Sequence, residues 1–160
     1  MASLSSLTAD FLLSASSAVL KDCSSLVDAS MLEVSSIATS AFCGCSSLED
    51  VATTSKLSTI GTYAFYGTAC QEMPVCMENV ISIGAGAFAS CTSLKQFNAG
   101  HIDSPLTSIG INALSGDISL TSAIIPSNVL ALQDGIFAKC SSLSVVDVHR
   151  QHDASVFAIG

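Results

Sequence analysis

A tetrapeptide keeps returning along this chain: Cys23-Ser24-Ser25-Leu26, Cys45-Ser46-Ser47-Leu48, Cys91-Thr92-Ser93-Leu94 and Cys140-Ser141-Ser142-Leu143. Asp117-Ile118-Ser119-Leu120 fills the same slot without the thiol, and Cys70-Gln71-Glu72-Met73 reads as a degenerate copy. Successive copies begin 22, 25, 21, 26 and 23 residues apart. A period of that size marks a repeat architecture, in which one unit cannot bury its apolar face alone.

Other positions move in step with the first set. An aliphatic residue stands five before a bulky one at Ile37 and Phe42, Ile60 and Phe65, Ile83 and Phe88, Ile109 and Leu114, and Leu132 and Phe137. Three residues ahead of each aliphatic is another, at Val34, Leu57, Val80, Leu106 and Val129. Ala precedes the bulky residue at positions 41, 64, 87 and 113, with Ile136 in the last copy. A Leu-x-x-apolar step then follows, as from Leu48 to Val51 or from Leu94 to Phe97.

Roughly 23 residues suffice for one coil of a stack, and stacked coils set equivalent strands about 4.8 Å apart in a parallel sheet. The spacing predicts an α/β repeat solenoid of about six coils, with one parallel sheet on a concave face and short helical or irregular returns. Coil boundaries fall near 12–33, 34–56, 57–79, 80–105, 106–128 and 129–155. Leu4, Leu7 and Phe11 lie at helical spacing and suggest an N-terminal cap over residues 1–11. Residues 156–160 begin a further coil, which needs truncation or a partner to cover it. Pro74 removes a ladder donor, so the strand of the third coil is in doubt.

The motifs resemble the BspA-type leucine-rich repeat, whose pattern runs Ile-Pro-x-x-Val-x-x-Ile-Gly-x-x-Ala-Phe-x-x-Cys-x-x-Leu-x-x-Val. Ile125-Pro126 through Val129, Phe137, Cys140, Leu143 and Val146 follow it most closely, then Val80 through Phe97. The resemblance spans nearly the whole chain. It implies a leucine-rich-repeat solenoid that binds protein, often at the surface of bacteria and protists, with no catalytic residues to carry over.

Composition narrows the partners. Five basic residues against thirteen acidic ones give a net charge of −8, unsuited to nucleic acid or an anionic membrane surface. Mean hydropathy is +0.61, yet Ser or Thr interrupts every apolar run before it could span a membrane. The N-terminus has no basic residue before Lys21, no Asn-x-Ser/Thr sequon occurs, and seven cysteines is an odd number. Together these favour a reduced, cytoplasmic setting over a secreted one, although the resemblance points towards cell surfaces.

Candidate chemistry is sparse. Gly84-Ala85-Gly86-Ala87-Phe88-Ala89 imitates a dinucleotide fingerprint, but the repeat register already accounts for it. Cys23, Cys45, Cys91 and Cys140 form a row expected to be buried as free thiols. Two coils carry longer connections: Leu94 to Leu106 holds His101 and Asp103, and Leu143 to Val156 holds His149, His152 and Asp153. Histidine with carboxylate suits a divalent metal, a remote alternative to plain solvated loops.

No enzyme, cofactor or metal site is expected. The function expected is a non-catalytic scaffold that docks a protein partner on the concave sheet, the alternative being a structural subunit of a larger assembly. Self-association through the C-terminal coil would be a further route to a complex. Residues two and four beyond the repeat Leu should face outward: Asp28 and Ser30, Asp50 and Ala52, Gln96 and Asn98, Ser122 and Ile124, Val145 and Asp147. Asp28, Asp50, Gln96, Asn98, Ser122 and Asp147 are the candidate partner-binding residues.

Overall fold

A computed structural model describes residues 4–8, 17–73, 75–100, 103–150 and 153–158. Most of the Leu-x-x-apolar steps form a front ladder of short parallel strands, in two parts, with one antiparallel strand at its C-terminal edge. Its first part joins β1 (Ser6–Thr8), β2 (Asp28–Ser30) and β4 (Asp50–Ala52). Its second part joins β7 (Gln96–Asn98), β9 (Ser122–Ile125), β10 (Val145–Arg150) and β11 (Asp153–Ala158). Register is strict: Ser6 faces Asp28, Asp28 faces Asp50, and Gln96 faces Ser122, which faces Val145. A slip of one residue would turn every buried side chain outward.

Between β4 and β7 the described residues of the third coil contribute no strand to this front ladder. Pro74 itself lies outside them.

Four expectations need correction. Ser6–Thr8 is a strand on β2 and not a helical turn, because pairing with the first coil satisfies its backbone better than an isolated turn can; Phe11 lies outside the described residues. The returns contain no helix among the described residues. The Ile-Gly stretch, expected to belong to the turn-like or short helical returns, is a second parallel ladder of β3 (Ser36–Ile37), β5 (Thr59–Ile60), β6 (Ser82–Ile83) and β8 (Ser108–Ile109). Finally, Asp153–Ala158 does not start another coil. It folds back antiparallel on β10, with Val145 opposite Ala158 and Asp147 opposite Val156.

The third side of each coil is a tight double turn around the bulky residue. Residues two before and two after it take positive φ: Ser40 and Gly44 around Phe42, Tyr63 and Gly67 around Phe65, Gly86 and Ser90 around Phe88. The bulky residue's amide donates to the carbonyl of the Ala slot one coil on, as in Phe42 to Ala64 (2.8 Å), Phe65 to Ala87 (2.7 Å) and Phe88 to Ala113 (2.9 Å). Ile136 holds the same slot in the last copy, its carbonyl 3.0 Å from the Leu114 amide, so the contact does not depend on Ala. The Gly of Ile-Gly is under a tighter constraint. A Cβ on Gly84 would lie 2.5 Å from the Thr62 amide nitrogen.

Inside, the ladders become continuous rows. Phe42, Phe65 and Phe88 stack with ring centroids 5.3 Å apart at each step, and Phe97 meets Phe88 edge-on at 6.2 Å. All four rings are essentially inaccessible. Hydroxyls close the coil edges: Ser58, Thr107, Thr121 and Ser144 each donate to a carbonyl one coil back, at 2.9–3.3 Å. Each of these carbonyls also accepts from the amide of the same residue, so the hydroxyl adds a second donor to one link between coils. Leu132, expected in the core, is 43% exposed, because no described strand covers its coil on that side.

Candidate functional site

Three features could carry function: the outward face of the front ladder, a buried polar row, and a cavity where the ladder is interrupted. On the front face the alternation expected of strands is present. Ala29, Val51, Phe97, Ala123 and Val146 point inward and are buried. Asp28, Asp50, Gln96 and Asn98 are exposed, while Ser122 and Asp147 are half-buried. The parallel register sets Asp28 beside Asp50 in one half of the ladder. In the other half it aligns Asn98, Ile124 and Asp147. The Ser6 hydroxyl donates to Asp28 Oδ1 at 2.6 Å. The missing third strand separates the two halves, so the six residues are not one unbroken row. No basic side chain lies within those rows; nearby, Lys95 Nζ donates to Gln71 Oε1 at 2.9 Å.

The row expected to hold thiols is more varied than the tetrapeptide suggested. In most coils the slot residue donates its amide to the carbonyl of the bulky residue three before it: Cys45 to Phe42, Cys91 to Phe88, Cys140 to Phe137. In the third coil that residue is Thr68, bonded to Phe65 O. Cys70 is therefore not the slot residue. It sits where other coils have the repeat Leu, since the amide of Lys95 donates to Gln71 O as that of Thr121 does to Lys95 O. The third coil is one residue shorter here, and the spacing Phe65-x-x-Thr68 would have disclosed it.

The row thus runs Cys23, Cys45, Thr68, Cys91, Asp117, Cys140. Sγ of Cys45, Cys91 and Cys140 reaches the carbonyl of Leu20, Phe65 and Leu114, one coil back, at 3.0–3.1 Å. The Thr68 hydroxyl lies 3.3 Å from Cys91 Sγ. All seven cysteines are free. Cys45 and Cys91 are buried, whereas Cys23 and Cys140 in the outer coils are half-buried. Burial pushes the Cys45 thiol up to about 12 and the Cys70 thiol up to about 11, which removes their nucleophilic form at neutral pH.

Asp117 is the exception in this row. It is fully buried, and its Oδ1 accepts from the Cys91 amide at 2.8 Å, but its Oδ2 has no partner. Desolvation, opposed in part by that hydrogen bond, pushes its carboxyl up to about 8. A protonated Oδ2 can act as a donor, the role the thiols fill in other coils.

The cavity lies between the strandless segment of the third coil and the longer connection of the fourth. Met73, Val75 and Met77 form one wall and Asn98, Gly100, Ser104 and Pro105 the other, with Glu78, Asn79 and Asp103 also lining it, around about 660 Å³. Ser104 is held by its own hydroxyl, which donates to Ala99 O and accepts from the Leu106 amide. Asn98 Oδ1 accepts from the Gly100 amide at 3.0 Å. Both signals for this cavity stood in the sequence, Pro74 and the long Leu94–Leu106 connection, but nothing there showed that they adjoin.

The two histidine-bearing connections are described only in part. His101 and His152 lie outside the described residues. His149 and Asp153 are on the paired strands β10 and β11, so the second expected bulge is a hairpin. Among the described residues, no group of three His, Cys, Asp or Glu is placed to hold a metal. No helix long and apolar enough to cross a membrane occurs among them.

Parallel one-per-coil ladders around rows of Phe, Leu and Ile define a leucine-rich-repeat solenoid. The family model for the BspA type leucine-rich repeat region matches residues 14–150 in six copies, and the chain belongs to that family. Solved structures are similar to it in fold. A leucine-rich repeat protein of T. pallidum is 24% identical, with a TM-score of 0.77 over 90% of this chain and 69% of that one. A leucine-rich repeat protein of Bacteroides ovatus is 24% identical, with a TM-score of 0.65 over 83% of this chain and 33% of its own. The pneumococcal vaccine antigen PcpA is 21% identical, with a TM-score of 0.66 over 92% of this chain and 37% of its own. The chain therefore spans about a third of the latter two. No curated protein matches the sequence.

Proposed function

We propose that this chain is a non-catalytic scaffold that binds a protein partner on the outward face of the front ladder. One observation carries the reading. Inward residues of the ladder are buried and apolar, while Asp28, Asp50, Gln96 and Asn98 project from a rigid backbone as exposed hydrogen-bonding groups. Binding groups held by strands in strict register lose little freedom when a partner docks. The face is acidic in its first half, so a partner with basic or donor groups is favoured and attraction weakens as salt screens it.

The test replaces Asp28 and Asp50 together with Asn and measures affinity for a protein that copurifies with the chain. Loss of affinity together with loss of salt dependence supports the reading. Unchanged affinity overturns it. A partner that stays at fixed stoichiometry in both variants and at high salt instead identifies a structural subunit.

A further inference from the structure

The interruption of the front ladder creates the cavity described above, and its chemistry is uneven. Its apolar wall is Met73, Val75 and Met77, of which Val75 and Met77 are 8% exposed and belong to the core. Methionine adapts its shape to whatever lies against it. Among the described residues its charged lining is acidic: Glu78 and Asp103 are exposed, and neither makes a hydrogen bond or ion pair with the described residues. By contrast Asn98 and Ser104 already serve the backbone. A volume of about 660 Å³ is within the range of sites that hold several residues' worth of ligand. It opens beside Asn98, at the end of β7 on the proposed docking face.

We infer that this cavity is a specificity pocket for an extended segment of the protein partner that carries Lys or Arg. The aliphatic stem lies on Met73, Val75 and Met77, and the cationic head faces the Glu78 and Asp103 carboxylates. Long basic side chains bury their methylenes while their charge stays near solvent, which matches an apolar wall with an acidic, open rim. Charge complementarity selects this occupant. An acidic segment would meet two like charges, and a neutral one would leave both carboxylates without a counter-charge. The inference rests on the scaffold reading above and names what its docking face recognises.

Methyl NMR of methionine-labelled full-length chain tests it directly, because Met73 and Met77 line the cavity while Met31 is buried beneath the first half of the ladder. The probes are acetyl-Ala-Lys-Ala-amide, its Arg analogue and acetyl-Ala-norleucine-Ala-amide, which keeps the stem and lacks the charge. Saturable shifts at Met73 and Met77 but not Met31, with Kd in the millimolar range, are expected for the two cationic peptides. Binding of the norleucine peptide should be about fivefold weaker, and the Glu78→Gln/Asp103→Asn variant should weaken Lys binding by about the same factor. Equal binding of the neutral peptide, or indifference to the double variant, overturns the inference, as does silence of both methyls. The Asp28→Asn/Asp50→Asn variant separates the two proposals. Its peptide affinity stays unchanged if the pocket is real, whether or not the outer face binds a partner.

Discussion

Replacing Asp117 with Cys should remove a pH dependence built into the core. The carboxyl is fully buried, one oxygen has no partner, and its folded value is about 8 against an ordinary 3.8. The folded chain therefore keeps its proton while the unfolded chain releases it from the ordinary value upward. Stability is full below that value and declines as pH rises towards 8. The slope is about 1.4 kcal/mol per pH unit, so about 5 kcal/mol is lost between about pH 4 and about pH 7.5. That is a large share of the 5–15 kcal/mol typical of a domain. A thiol at 117 supplies the donor found at Cys91 and Cys140 and does not ionise in this window. Urea unfolding at stepped pH measures the difference between the two curves. It should widen by several kcal/mol towards pH 7.5 with an unchanged m-value, and Asp117→Asn should flatten the curve likewise. Parallel curves for all three proteins would refute the argument. They would mean that Oδ2 is solvated.

Three further outcomes follow from the packing. Under native conditions a thiol reagent should modify Cys45, Cys70 and Cys91 far more slowly than the half-buried Cys43 and Cys76, with all becoming equal in urea; fast labelling of Cys91 would contradict the register. Gly84→Ala should cost about 3 kcal/mol, since its Cβ would press on the Thr62 backbone, whereas Gly67→Ala, with nothing within 4 Å but a φ of +69, should cost about 1 kcal/mol; equal urea midpoints would sink the close-approach account. Phe65→Ala removes the middle ring of the stack and should cost about 3–5 kcal/mol by thermal or urea unfolding. A loss below about 1 kcal/mol would mean that neighbouring coils collapse into the gap.

Much of the fold was legible because each ladder repeats its signal five or six times. Ile37, Ile60, Ile83 and Ile109 reinforce one another in a way that a single strand never could, and all four are buried on the second ladder. That ladder is nonetheless hard to tell from a turn or short helical return, because two residues are too few to show an alternation. The N-terminal strand failed for another reason. Leu4 and Leu7 satisfy helical spacing by coincidence, and pairing to Asp28–Ser30 decides the matter. The C-terminal hairpin was hidden by the same blindness to pairing: Val156 carries the right residue type for a new coil, yet its backbone partner is Asp147. The outward face was readable as parity, but the cavity depends on two segments about 25 residues apart meeting across coils.

The buried row shows why residue identity misled where geometry would not. Cys45, Cys91 and Cys140 share one act, donation to a carbonyl one coil back, and Thr68 fills the same slot with a hydroxyl. What these residues share is a small side chain carrying one proton. Matching on the thiol selects Cys70, which donates to Leu48 O instead and belongs to the Leu position. Matching on the donor selects Thr68 and restores a spacing of 22, 23 and 23 residues from Cys23 through Cys91. Asp117 fits the slot by size but not by partner: its Oδ2 makes no hydrogen bond, and burial raises its pKa. With Thr68 in the slot, the third coil is left one residue short just before the front ladder. That shortening and Pro74 fall on the segment where the ladder opens beside Met73 and Asn98. The departure from the repeat that the thiol count obscured is thus the one that lies beside the pocket.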